Sequence, residues 1–324
     1  MMKNRFLFVA ALFAALSFGF ASCDNVNEEL LNRIEQLENE LNDLKNDKDK
    51  TDSADKDGDK DTSSDSPVSN FTPAAFSVSA DKQVYFSSGN LQYTQSTNTW
   101  SFASAQWKMI GTDNVTGGSV FSDEEGDYQY GTALADKVDL FGWSTSTTNF
   151  GVSTSVDDDD YLGSFVDWGS NQIGDDVPNT WRTLTANEWE YVVYDRPNAR
   201  SLRGVAQVNG VNGLILLPDG WSCPDGVTFR AGFHDSRGVD YYAAYQTFTA
   251  AEWSKMEVAG AVFLPAAGRR DGSVVDYVQR FGYYWSATEY YSDDAYYLYF
   301  YSNEADMLGY YRYGGRSVRL VKDL

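Results

Sequence analysis

Apolar and polar positions change rhythm several times along this chain, and each rhythm predicts a different element. A largely apolar run from Phe6 to Phe20 follows a short basic start with Lys3 and Arg5. From Asn27 onward the spacing alternates between three and four, through Leu30, Ile34, Leu37, Leu41 and Leu44. That is the a/d pattern of a heptad, with Asn27 at a. Arg33 with Glu38, and Glu40 with Lys45, then sit at g and the following e with opposite charges, as a parallel coiled coil requires. Ile at a with Leu at d favours two strands, so residues 27–44 offer a contact for a homo-oligomer. Three heptads alone are marginal, and a lone solvated helix is the competing expectation. Residues 46–69 lose all apolar rhythm, and 12 of these 24 positions are charged. This stretch is expected to be a disordered linker spanning roughly 25–30 Å.

From residue 70 a period of two takes over. Phe76-Ser77-Val78-Ser79 and Gln83-Val84-Tyr85-Phe86 predict hairpin arms around Asp81-Lys82. Leu91-Gln92-Tyr93 and Trp100-Ser101-Phe102 continue the strand pattern. Residues 111–180 are rich in Gly, Ser, Asp and Thr and predict a long loop region with aromatic pins at Phe141, Trp143 and Trp168. Two helix starts follow. Thr185-Ala186-Asn187-Glu188-Trp189 and Thr249-Ala250-Ala251-Glu252-Trp253 both place Thr and Glu three apart, the spacing of a capping box. The apolar runs Gly213–Leu217 and Gly260–Leu264 predict buried strands, and Ser317–Val321 a last one. Strands, two helices and long loops make an α+β domain over residues 70–324.

The densest pattern lies between Phe281 and Val321. It holds 11 of the 22 tyrosines, all from Tyr283 to Tyr313. In Tyr296-Tyr297-Leu298-Tyr299-Phe300-Tyr301 a period of two puts Leu298 and Phe300 on one face and Tyr297, Tyr299 and Tyr301 on the other. With Leu298 and Phe300 inward, the three tyrosines are expected on an outer surface. Tyr290, Tyr291, Tyr310, Tyr311 and Tyr313 fall in polar flanks that read as loops. Asp293, Asp294, Asn303 and Asp306 lie among them. Tyrosine supplies rigid, amphipathic contact area and small polar residues supply adaptable hydrogen bonds, which is the composition of a binding surface. Those twelve residues are therefore the candidate ligand contacts. An ordinary tyrosine-rich sheet is the competing reading, because tyrosine favours strands.

Charge narrows the partners. The net charge is −22 over 324 residues, and residues 70–324 carry −15 of it. A nucleic acid or an anionic lipid surface is therefore not expected to bind through bulk electrostatics. Two cysteines, Cys23 and Cys223, leave one thiol in the folded part, so no disulfide can close within it. With His234 as the single histidine, a His-rich zinc site cannot be built from one chain, and a serine triad would have to use it in a segment unlike a nucleophile elbow. Asp157 to Asp160 offers oxygens to a hard cation, but consecutive acids point in different directions, and an acidic surface turn is expected. Asp55 to Asp59 is faintly similar to a calcium loop, yet Ser64 stands where the closing glutamate belongs. No metal or other cofactor is expected, and no enzymatic activity.

Three resemblances sharpen this picture. The basic start, the apolar run and Phe20-Ala21-Ser22-Cys23 resemble a bacterial lipoprotein signal, although Phe20 stands where leucine is usual. Residues 1–22 would then be removed and Cys23 lipidated, anchoring the chain to the outer membrane of the cell envelope, where tethering would favour pairing through the heptads. Trp181 to Tyr191 resembles the helix start of formylglycine-generating-enzyme-like proteins, and Gly314 to Val321 resembles their closing strand. That superfamily has a C-type-lectin-like fold. The cysteine pair its copper enzymes need is missing here, and Trp285-Ser286-Ala287 lacks the acid and amide of calcium-dependent sugar binders. The segment Gly282 to Thr288, its tyrosine-rich continuation and the closing strand resemble the variable region of proteins diversified by retroelements. The resemblance implies adenine-directed substitution, and from an Asn codon this reaches Tyr, Asp, Ser, Gly and Ala. Everything from Tyr290 to Tyr301 belongs to that set except Leu298 and Phe300; Trp285, Glu289, Glu304 and Met307 are outside it and read as scaffold. The resemblance implies a surface-displayed lipoprotein whose diversified tyrosine-rich site binds a protein or glycan. A fixed-specificity adhesin or glycan-binding lipoprotein on the same fold remains the alternative, and a structural surface subunit a third.

Overall fold

The computed structural model describes residues 74–234 and 241–324. The signal segment, Cys23, the heptads at 27–44 and the linker at 46–69 lie outside the described residues. Those that are described form a mixed α/β domain, mostly strands in several small sheets with few helices. No described helix is long and apolar enough to cross a membrane.

The N-terminal hairpin, Phe76–Ser77 with Gln83–Phe86, pairs antiparallel with the closing strand Leu320–Asp323, and that strand pairs in turn with Arg182–Thr183. The two ends of the domain therefore share one sheet. The closing strand begins three residues later than the alternation suggested. Ser317 and Val318 are occupied elsewhere: Ser317 exchanges backbone hydrogen bonds with Tyr283 and Trp285, and the Val318 carbonyl accepts from Leu91 N–H. A second sheet orders Thr247–Phe248, Arg203–Val208, Val211–Leu216 and Val262–Pro265. It buries the two runs that read as apolar strands.

Both helix starts carry complete capping boxes. The Thr185 and Thr249 hydroxyls accept from Glu188 and Glu252 N–H, and each glutamate accepts from its threonine N–H. The first helix, Ala186–Glu190, widens into a π-helical turn over Tyr191–Asp195; the second runs Ala250–Val258. Trp189 and Trp253 are fully buried, in different hydrophobic clusters. The sequence rhythm missed a short helix at Tyr241–Tyr245. It also hid a hairpin in the 111–180 region, Ser119–Asp123 with Gly126–Tyr130. All five residues of its first arm are exposed, so burial imposes no apolar alternation on them.

The tyrosine-rich segment forms a three-stranded antiparallel sheet, Gly282–Glu289, Asp294–Phe300 and Ala305–Tyr311. Its register pairs Tyr283 with Tyr299, Trp285 with Tyr297 and Leu298 with Met307. Tyr284, Leu298 and Phe300 pack on one side with Trp189, Phe86 and Val321. Tyr283, Trp285, Ala295 and Tyr297 pack on the other with Phe141, Trp143, Trp168 and Val318. The sheet is thus sandwiched between two clusters over most of its length.

Candidate functional site

Period-two alternation does place Tyr297, Tyr299 and Tyr301 on one face, but that face is covered. Tyr297 is 6% exposed and Tyr301 5%, while Tyr299 is half-buried. The expected outer surface of three tyrosines is therefore corrected. The cover is Phe281, whose ring lies 5.6 Å from Tyr299 and 5.7 Å from Tyr301, together with Arg316. The Arg316 guanidinium stacks 3.8 Å from the Tyr297 ring centroid and 4.3 Å from that of Trp285. Burial pushes the Tyr283 hydroxyl well above its ordinary pKa, with Tyr299, Asp276 and Tyr297 pushing the same way against the pull of Arg269. These rings are scaffold under the site.

The exposed tyrosines gather at the far end of the sheet. Tyr290 is 39% exposed, Tyr291 60%, Tyr310 42% and Tyr311 36%. Tyr290 and Tyr291 follow the first strand in the turn 290–293. Tyr310 and Tyr311 close the third strand, and so are not loop residues as their flanks suggested. The exposed rings form two groups: Tyr310 pairs with Ala295 and shares Arg316 with Tyr297 on one face, while Tyr290 lies by Gly309 and Tyr296 on the other. Tyr310 and Tyr311 rings are 4.7 Å apart, and Tyr313 stacks on Tyr311 at 5.1 Å. Tyr290 lies across Gly309, touching Tyr291 and Tyr296 at ring separations of 4.2 and 4.7 Å. A Cβ at Gly309 would come within 2.3 Å of the Tyr290 ring, so glycine is what lets that ring lie flat there.

The acids flank this patch unequally. Asp293 is half-buried in the turn, Asp294 half-buried at the start of the second strand, and Asp306 exposed on the third. Asn303 sits in the 301–304 turn at the opposite end of the sheet, donating to the Tyr301 hydroxyl at 3.4 Å. Asn303, Asp306, Tyr299 and Tyr301 are thus not brought together with Tyr290, Tyr291, Tyr310, Tyr311 and Tyr313. Asp157 caps a short 3-10 turn, Asp158–Tyr161, by accepting from Asp159 N–H. Burial pushes the Asp158 carboxyl up, as do Asp293, Asp157 and Asp159. Asp294 is raised in the same way, by burial, Asp293 and Asp158, against Arg316 and Arg312. No group of three or more side chains arranged to hold a metal occurs among the described residues.

Sequence reasoning missed two arginines that build the site. Arg312 is buried and holds the exposed turn from below. It donates to the carbonyls of Tyr291 at 2.8 Å and Asp294 at 3.1 Å, reaches the Gly163 carbonyl at 3.2 Å, and pairs with Glu289 at 3.3 Å. Its guanidinium lies 4.4 Å from the Trp143 ring centroid. Arg316 does the same for the tyrosine face. The signal available was chemical: an arginine among aromatics has a planar cation that stacks and a fork of donors that gathers carbonyls. Scans against family models, curated proteins and solved structures return no match for this chain.

Proposed function

We propose that this chain is a surface-displayed, non-catalytic ligand-binding lipoprotein, anchored through Cys23 to the outer membrane, on a C-type-lectin-like fold. The cluster Tyr290, Tyr291, Tyr310, Tyr311 and Tyr313, with Asp293 and Asp294, takes a protein or glycan ligand. The observation that carries the reading is that these rings, partly exposed, lie at one end of a sheet whose first two strands are largely buried. A large side chain left in water on a rigid support offers contact area at low ordering cost. Two further observations support the fold and the diversified character. The two segments that carry the superfamily resemblance are paired strands, Arg182 opposite Val321 and Thr183 opposite Leu320. Most residues outside the adenine-reachable set serve the scaffold: Leu298, Phe300 and Trp285 are fully buried, Met307 packs on the core and Glu289 holds Arg312, whereas Glu304 is exposed.

The test screens the full chain against a glycan array and a panel of intact cells. The Tyr291→Ala/Tyr310→Ala variant is expected to lose at least tenfold in apparent affinity while its melting temperature stays within about 2 °C, because both side chains are largely exposed. Unchanged binding would overturn the site. Sequencing the DNA beside the gene tests diversification: a near-copy of the Tyr283–Val321 coding stretch, differing at adenines and next to a reverse transcriptase, is the expected result. A fixed-specificity glycan binder is favoured by a separate observation. A groove of about 390 Å³ is lined by Tyr85, Phe102, Trp181, Asp176 and Lys322. Binding lost on Trp181→Ala but kept in the tyrosine variant would select that reading.

A further inference from the structure

The hairpin Ser119–Asp123/Gly126–Tyr130 lies at the outside of its sheet, with Ser119–Asp123 as the last strand. Free edges are usually blunted by lysine, proline, a bulge or a covering loop. Ser119-Val120-Phe121-Ser122-Asp123 carries neither lysine nor proline, and its pairing runs without interruption from Ser119 opposite Tyr130 to Asp123 opposite Gly126. Val120 is 61% exposed, Phe121 40% and Tyr130 53%. Phe121 stacks on Tyr128 at 4.9 Å and on Tyr130 at 5.6 Å, nearly parallel to both. An ordered row of rings therefore lies beside an open strand edge.

Two features say what fits there. The first is continuity. Tyr128 contacts Tyr277 at 5.9 Å, Tyr277 contacts Phe281 at 5.0 Å, and Phe281 contacts Tyr299, a half-buried scaffold ring of the tyrosine sheet, at 5.6 Å. The second is charge. Asp123, Glu124, Glu125 and Asp127 crowd the hairpin, and Asp271 and Asp276 lie on the strands beyond it. The facing cations are Arg269, paired with Asp271 and Asp276, and Arg280, paired with Glu125. Asp123, Glu124 and Asp127 pair with no cation among the described residues. Burial first, and then Asp123, Tyr277, Glu125 and Asp276, push the Tyr128 hydroxyl up to about 12.

We infer that the Ser119–Asp123 edge docks an extended, lysine- or arginine-bearing segment of a partner protein as an added strand. Main-chain hydrogen bonds would extend the sheet, apolar side chains would lie on Phe121 and Tyr130, and cations would meet the uncompensated carboxylates and ring faces. A neutral glycan supplies neither the strand pairing nor the charge. The inference deepens the ligand-binding reading and rests on it for the joint surface: it assigns the ligand to the class of basic polypeptides.

The experiment pans the full chain against a random twelve-residue peptide library. The selected peptides are expected to be positively charged, with apolar residues at alternate positions. Their affinity is expected to fall at least tenfold on Phe121→Ser/Tyr130→Ser, and independently on Asp123→Lys/Asp127→Lys, with both variants retaining the wild-type circular dichroism spectrum. Peptides without positive charge, peptides that bind both hairpin variants unchanged, or no selected peptides at all would overturn the docking edge. Loss on Tyr291→Ala/Tyr310→Ala alone would overturn it too while leaving the tyrosine site standing. Loss on the hairpin variants alone keeps the edge and removes the tyrosine site as its partner surface. A sedimenting dimer of the chain abolished by Phe121→Ser would replace the partner with a second copy and overturn the inference.

Discussion

Arg316 sits where a carboxylate partner would normally be needed. It is 1% exposed, its Nε has no hydrogen-bond partner, and its Nη1 donates to the Tyr311 carbonyl at 3.4 Å. What receives the charge is the pair of ring faces of Tyr297 and Trp285. Desolvation lowers its pKa, and the neighbouring tyrosines oppose that only in part. A guanidinium tolerates this because it is planar, delocalised and weakly hydrated; an ammonium is compact and strongly hydrated. Arg316→Lys is therefore expected to cost about 3 kcal/mol or more, the penalty for a buried, poorly compensated charge. Arg316→Met keeps the apolar stem and removes the charge, and is expected to cost less than about 2 kcal/mol. Urea denaturation of the two variants checks the order. A lysine variant as stable as the wild type would show that stacking on Tyr297 and Trp285 contributes nothing.

At the level of elements, one glycine sets how the first and third strands of the tyrosine sheet present their rings. Tyr290 lies over Gly309 because nothing projects from that position, and its ring is the movable end of the contact. Gly309→Ala is expected to lift Tyr290 off the sheet at a stability cost below about 1 kcal/mol, since the backbone there needs no left-handed conformation. Ring-proton shifts of Tyr290, read by nuclear magnetic resonance, check this: unchanged shifts would mean that the ring does not rest on Gly309. The same sheet shows what the sequence could and could not disclose. The period of two correctly grouped Leu298 with Phe300 and Tyr297 with Tyr299 and Tyr301, because alternation is fixed by strand geometry. It could not say that the tyrosine face is covered. The covering groups, Phe281, Arg316, Phe141 and Trp168, arrive from other segments, two of them, Phe141 and Trp168, from the distant 111–180 region. Capping boxes were legible for the opposite reason: the Thr185–Glu188 and Thr249–Glu252 contacts close within one turn. The exposed hairpin at 119–130 was hidden because no face of its first arm is buried.

For the whole molecule, the closing strand decides whether the tyrosine sheet has a support at all. Leu320–Asp323 lies inside its sheet, between Gln83–Phe86 and Arg182–Thr183, so it joins the N-terminal hairpin to the strand that precedes the first helix. Asp323 also takes Arg182 Nε at 2.8 Å and Lys82 at 3.4 Å. Just before it, Arg319 is fully buried and donates to Gln106 Oε1 at 2.6 Å, while Val318, Leu320 and Val321 fill two different clusters. An interior strand cannot be removed without exposing both neighbours' hydrogen-bonding edges and the apolar surface beneath. Truncation after Ser317 is therefore expected to abolish the cooperative unfolding transition, although every tyrosine of the candidate site is retained. Removing Leu324 alone, which is 59% exposed, is expected to leave the melting temperature within about 2 °C. Differential scanning calorimetry separates the outcomes. A cooperative transition in the Ser317 truncation would show that the tyrosine sheet stands without the closing strand. The segment from Tyr290 to Tyr313 lies between two buried anchors, Trp285 before it and Arg316 to Val321 after it. Under the proposed reading, changes at its exposed positions would alter what is bound while the anchors on either side keep the fold.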